Sequence, residues 1–300
     1  MAERLTDIVM QIQNVRQLQA VVTAMRGIAA SRAQSGRALI AGIEAYTDVV
    51  LRAIGEALSL LPPQATASPR FRQAKLCLIL FCAEQGFAGA FSERVLDAAA
   101  GDFKDAITLI IGTRGVVTAN ERGIKPSWST PMATHVDAIP SFASRLVDTL
   151  YSYLAASTII RVDVLFSRTV SGSGIQIDRH SVLPIDFGHF KRPTDMHAPL
   201  ITLAPAFLLE RLVAEYVYAQ LCEAAMHAFE AENEARMLAM ASAKNNIESK
   251  LANLSQREHQ LRQEQITTEI VELAGGAEAL TEPHNAEFRK KPPRKRETQL

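Results

Sequence analysis

Apolar residues near the start of the chain fall at Leu5, Ile8, Ile12, Val15, Leu18, Val22, Met25 and Ala29, in steps of three and four. That spacing draws a single stripe along a helix. Near the other end, Met237, Met240, Ile247, Leu251, Leu254 and Leu261 repeat at heptad spacing, with Lys244 and Glu258 as polar interruptions. Stripes this narrow suit a coiled-coil seam, and each can bury the other. The small residues Ala20, Ala24, Gly27, Ala30, Ala33 and Gly36 would let a partner helix approach closely.

Helix breakers are missing from both regions. From Ala206 to Ala274 there is no glycine or proline, and Glu3 to Leu61 holds no proline and four glycines. At 1.5 Å per residue, an unbroken helix over the later stretch would run roughly 100 Å. The two rods would most simply pair antiparallel, with both chain ends remote from the segment between them. A bundle folded back on itself is the alternative, although strict heptads favour extended coils.

The middle of the chain has another rhythm. Pro62, Pro63 and Pro69 mark the exit from the first rod. Lys75–Cys82 holds a continuous apolar run of strand length, as a central parallel strand requires. A glycine turn follows, Gly86-Phe87-Ala88-Gly89, and then a helical stretch from Ser92 to Ala100. Ile107–Ile111 reads as a second buried strand, followed by Gly112-Thr113-Arg114-Gly115 and another helix. Ser141–Ala156 reads as a helix, and Ile160–Ser167 and Gly174–Leu183 as strands joined by a hairpin turn at Ser171-Gly172-Ser173-Gly174. Alternating strands and helices predict an α/β layer inserted between the rods.

Composition narrows the function classes. Lysine plus arginine match aspartate plus glutamate at 32 each, which argues against bulk nucleic-acid binding. Hydrophobic residues make up 48% and aromatics only 6%, a balance that suits close-packed alanine-rich helices. The longest apolar run, Leu76–Cys82, is too short to span a bilayer, and the N-terminus lacks a signal-peptide core. Cys77, Cys82 and Cys222 form no CxxC motif and read as buried thiols in a reducing, cytoplasmic compartment.

Candidate chemistry is thin. The glycine turn offers GxxG rather than GxGxxG, no acidic residue closes the second strand, and no GxxxxGK[ST] loop exists. A tight strand-to-helix turn explains it better. His180, His189 and His197 share a loop-rich stretch with Asp178, Asp186 and Asp195, but their spacing fits no standard zinc pattern. No GxSxG or HExxH motif appears. The expectation is therefore no catalytic, cofactor-binding or metal site.

Several short motifs converge on one family. Glu232-Asn233-Glu234-Ala235-Arg236-Met237-Leu238-Ala239-Met240, followed by Asn246, resembles the pattern "SE..ARM.AM…N" of the γ subunit of F-type ATP synthases. Arg262-Gln263, Ile266-Thr267, Glu269, Glu272 and Gly276-Ala277 are similar to that family's "RQ..IT.E..EI..GA". Thr23-Ala24-Met25-Arg26 with Ala29-Ala30-Ser31 resembles "T.AM..VAAS", and Glu84–Phe91 matches "DRGLCGGF" in part. Ile111-Gly112-Thr113-Arg114-Gly115 is similar to "GrKG". The likeness runs in order from about residue 3 to 280. Ala88 and Ala90 stand where the family usually has cysteine and glycine, and several lysines of the first helix are replaced. Such departures point to a diverged branch, such as the rotor of an alternative F-type ATPase. No inserted cysteine pair is present, so the thiol switch of chloroplast relatives is not implied.

The resemblance implies a fold: a long antiparallel coiled coil of the terminal helices (residues 1–61 and 205–280) with a Rossmann-like α/β foot domain (residues 70–195) inserted between them. It implies partners as well: the α and β subunits of the hexamer, the ε subunit and the membrane c-ring, on the cytoplasmic face of the bacterial plasma membrane. Shaft contacts with β would fall at Met25, Arg26, Arg262, Gln263, Thr267 and Glu269. Catalysis would belong to β, with no cofactor on this chain. Residues 281–300, in which Arg289–Arg296 holds six basic residues around Pro292-Pro293, are expected to form a disordered basic tail. Two rival classes explain less. A coiled-coil tether with an α/β binding head leaves the ordered motifs unexplained, and a nucleotide-dependent enzyme lacks its fingerprints.

Overall fold

The computed structural model describes residues 4–61, 75–156, 161–187, 190 and 200–281. Helix α1 runs Leu5–Ser59 and helix α5 runs Pro205–Thr281. Between them lie β1 (Leu76–Phe81), α2 (Phe91–Ala98), β2 (Ile107–Ile111), α3 (Thr113–Glu121), β3 (Trp128–Thr130), α4 (Ile139–Ala155), β4 (Arg161–Val170) and β5 (Gly174–Leu183). Helix α5 carries straight through Gly275 and Gly276, two residues that cost helix stability but do not end it here. Thr281 closes α5, and residues 282–300 of the expected tail lie outside the described residues.

Two compact units divide the chain, Met1–Val21 with Lys244–Leu300, and Val22–Ala243. In the first unit Ile8 and Ile12 are buried to 1% and 4% exposure and Ile247 to 8%. A lone helix cannot hide an isoleucine, so the stripes of α1 and α5 cover each other there. Along α5 from Lys244 to Leu261, the heptad positions Lys244, Ile247, Leu251, Leu254, Glu258 and Leu261 are all withdrawn from solvent, both polar interruptions included, and Ser255 beside Leu254 is half-buried with them. On α1 one expectation is corrected. Leu18 is 52% exposed, and the half-buried heptad position is Gln19. Steps of three and four from Ile12 and Val15 land on residue 19, so geometry places a glutamine where hydrophobicity alone chooses its neighbour.

In the second unit the same two helices run antiparallel. Arg37 donates to Glu230 at 2.6 Å and to Glu234 at 3.3 Å, and the Thr47 hydroxyl donates to Glu223 at 3.2 Å. Val50, Ile54 and Leu58 pack with Leu209, Leu212 and Tyr216. Gly36 lets the backbones close up, since a Cβ there would stand 3.2 Å from the Glu230 Cβ. Ala29 and Ala33 are buried beside it, whereas Ala20, Ala24 and Gly27 face solvent and do not serve close approach.

The sheet has the order β3-β2-β1-β4-β5, with only the β4–β5 pair antiparallel. β1 is apolar throughout because it is covered on both faces. Cys77, Ile79 and Phe81 meet α4 and α5, while Leu78 and Leu80 meet α2 and α3. Residue-by-residue alternation of strand side chains produces that division. The strand β3, at three residues, is too short to show a readable period in the sequence. Gly115 of α3 packs directly on Cys82, and Gly112 turns the chain at φ +104° against the carbonyls of Cys82 and Ala83. Cys77, Cys82 and Cys222 are free and buried, and burial pushes their thiols up to about 12, 12 and 11.

Candidate functional site

Beyond Leu261, every side chain of α5 through Ala277 is exposed. Arg262 donates to Glu258 at 2.6 Å, the Thr267 hydroxyl donates to the Gln263 carbonyl at 2.9 Å, and Gln265 donates to Glu269 at 2.9 Å. These bonds stay within the helix and leave its outer surface open. At about 100° per residue, Glu269 and Arg262 lie along one side, Gln263 and Thr267 along the other, and Ile266, Ile270 and Leu273 between them, all within an arc of about 160°. The apolar ridge is 50%, 61% and 75% exposed. An apolar ridge flanked by polar groups is the pattern of a surface made to be covered. Four of the six expected contact residues thus share one helical face. Met25, half-buried, and Arg26, exposed, lie on α1 in the other unit.

A second constellation lies at the carboxyl end of β1. The loop after β1 meets α5 through buried polar groups. The Glu232 carboxylate accepts hydrogen bonds from the backbone N–H groups of Glu84 and Gln85, both at 3.1 Å. Arg236, one turn further along α5, donates to Glu232, to Asn233 Oδ1 at 3.0 Å, to the Gly86 carbonyl at 3.1 Å and to the Gln85 carbonyl at 3.2 Å. Side chains of Glu232 and Arg236 are each only 6% exposed. Glu84 points the other way. Its carboxylate accepts from the Thr113 N–H and hydroxyl, both at 2.9 Å, and from the Met132 N–H at 2.8 Å, capping α3 where Gly112 has no side chain to do so.

This geometry weighs against the nucleotide reading. In open α/β sheets, ligand phosphates seek the crevice at the strand carboxyl ends and the free N–H groups of the following loop. Here the chain's own carboxylates take several of those donors: Glu232 holds the N–H groups of Glu84 and Gln85, and Glu84 that of Thr113 at the start of α3. Phe87 adopts φ +64° and Gly89 φ +62°, so the GxxG stretch is a tight turn. In the described part of the polar loop stretch two of the groups have other partners. Asp178 pairs with Arg168 at 2.9 Å, and His180 stands edge-on to Phe166. His189, Asp195 and His197 lie outside the described residues. Among the described residues no group of three or more His, Cys, Asp or Glu could hold a metal ion.

Sequence reasoning picked out Glu232 and Arg236 only as letters of a motif. A local signal was present: an acid and an arginine one turn apart on α5, Glu232 and Arg236. Their partners stand about 150 residues earlier, where no periodicity could reveal them.

Comparison with known proteins completes the picture. The ATP synthase family model matches residues 4–280. The ATP synthase gamma chain of Bdellovibrio bacteriovorus is 25% identical, over 92% of this chain and 98% of its own length. That of Streptomyces griseus is 26% identical, over 91% and 94%. By shape, the chain resembles one in the cryo-EM structure of the Euglena gracilis mitochondrial ATP synthase, with a TM-score of 0.67, 11% identity and coverage of 96% and 98%. Among the described residues no helix is long and apolar enough to cross a membrane. With two long helices bracketing a mixed sheet and a family match across nearly its whole length, the chain belongs to the gamma-chain family of ATP synthases.

Proposed function

We propose that the exposed face of α5 beyond Leu261 is where this rotor-shaft subunit bears on the β subunits of its complex, through Arg262, Gln263, Thr267 and Glu269, with Met25 and Arg26 adding a second contact. The subunit itself is non-catalytic; nucleotide chemistry belongs to β. The observation that carries the reading is the apolar ridge of Ile266, Ile270 and Leu273 left open between those polar side chains.

In this reading residues 1–61 and 205–280 work as the shaft and residues 70–195 as the foot toward the ε subunit and the c-ring, on the cytoplasmic face of the plasma membrane. Ion flow turns ring and shaft together, and the turning face takes β through its nucleotide states. A ligand-like contact of this kind drives a conformational change only if it is stronger in one state than in another. Hydrogen bonds to charged groups supply such differences, at about 1.5–3 kcal/mol each.

The test is Arg262→Ala with Gln263→Ala in the assembled complex. Coupled ATPase activity should fall while the chain's melting temperature holds, because both side chains are exposed. Unchanged coupled activity would remove these residues from the contact.

A further inference from the structure

We propose that Glu232 and Arg236 form the latch through which torque passes between the sheet and helix α5. The proposal rests on the rotor reading and concerns how this chain holds itself together under load.

Most of the contact between sheet and helix is apolar. Phe81, Phe142 and Phe166 meet Val217, Leu221, Ala225 and Phe229 of α5. Such contact is strong but non-directional. An alanine-rich helix can turn or slide against it while giving up little buried area at each small step. Hydrogen bonds are directional and weaken steeply when displaced or tilted. Resistance to twisting therefore concentrates where directional bonds cross the boundary.

They cross most densely at the loop after β1. Glu232 takes two backbone N–H groups of that loop, and Arg236 gives its guanidinium to two of its carbonyls, so donors and acceptors run both ways. The side chains are bound to each other and to Asn233, whose amide donates to the Phe229 carbonyl at 2.8 Å. Glu84, in the same loop, ties onward to Thr113 and Met132, the segments following β2 and β3. Load on α5 at this point thus reaches three strands. Arg32 brings α1 into the same contact, donating to Gln85 at 3.4 Å. The space left among Arg32, Glu84, Gln85, Phe229, Glu232 and Arg236 is about 10 Å³, hardly room for one water.

Static cohesion does not require this arrangement. A buried ion pair is often no more stabilising than apolar side chains of similar volume. What apolar substitutes cannot supply is fixed direction.

The experiment uses the full chain assembled with its partner subunits in sealed liposomes. Glu232→Gln with Arg236→Met removes both charges at nearly constant volume. Arg236→Lys keeps the charge and loses the fork that spans two carbonyls. Melting temperature, ATP hydrolysis and ions pumped per ATP are measured for each. The double variant should hydrolyse ATP near the parent rate while pumping about tenfold fewer ions per ATP, the scale of one lost charge-assisted bond. Arg236→Lys should fall between. If the double variant does not fold, Arg236→Lys alone decides. A lower melting temperature with unchanged ions per ATP would reduce the pair to a structural role and overturn the latch. Failure of the parent assembly to pump would instead strike at the rotor reading, and the latch would fall with it.

Discussion

Gly115 of α3 sits so close to Cys82 that a Cβ built on it would stand 2.1 Å from the Cys82 Cβ. Nothing about the backbone of Gly115 demands glycine; only space does. Gly115→Ala should therefore destabilise the chain by about 2–3 kcal/mol through overpacking. Because the clash is with a Cβ, Cys82→Gly in the same chain should recover part of the loss where Cys82→Ala recovers none. Urea midpoints for the three variants would check this.

Asp163 on β4 is 1% exposed, held by Arg161 at 2.8 Å and Arg179 at 2.6 Å. Burial alone would raise its carboxyl; the arginine hydrogen bonds outweigh that and hold it below the usual carboxylate range. Its contribution is then present above the unfolded value near 3.8 and lost as pH falls through the lower folded value. Asp163→Asn should cost about 2–4 kcal/mol at neutral pH, somewhat under the usual figure for a broken buried pair because both arginines reach water. Thermal melts from pH 2 to 7 should show the variant losing this part of the parent's acid slope.

His227 stacks on Phe166 with ring centroids 5.9 Å apart, and its Nε2 lies 3.8 Å from Glu44. Burial, helped by Arg168, lowers its pKa below 6.5, against the opposing pull of Glu44, Glu230 and Asp178. The unfolded chain then binds a proton first, so stability should decline as pH drops below about 6.5. Glu223 works in the opposite sense, since burial raises its carboxyl and favours the folded state as pH falls. Comparing His227→Gln with the parent isolates the histidine. The variant's stability should be flatter between about pH 5 and 6.5, and an identical slope would count against the assignment.

Much of this fold can be read from the sequence, for identifiable reasons. Long heptad stripes and unbroken apolar strands repeat one signal many times, so α1, α5, β1, β2 and β5 stand out. The strands β2 and β5 fall at the expected residues, and the ends of β1, α2, α4 and β4 shift by one to three positions, where hydrogen bonds fray and pattern is weakest. Leu18 misleads because a leucine next to a seam position looks like a seam position; helical phase, not hydrophobicity, selects Gln19. The α5 tip was legible only through motif resemblance, since a surface made for another protein leaves no mark of burial within its own chain. Glu232 and Arg236 were illegible as a unit because their role depends on a loop that folding brings from far away.

As a rotor shaft, this chain must rotate while β hydrolyses ATP. The most direct test of this is single-molecule observation of the complex with α and β fixed to a surface and a bead or gold particle attached to the chain. Unidirectional, stepped rotation should start with ATP and stop without it. A complex that assembles and hydrolyses ATP while the particle shows only undirected fluctuation would contradict it.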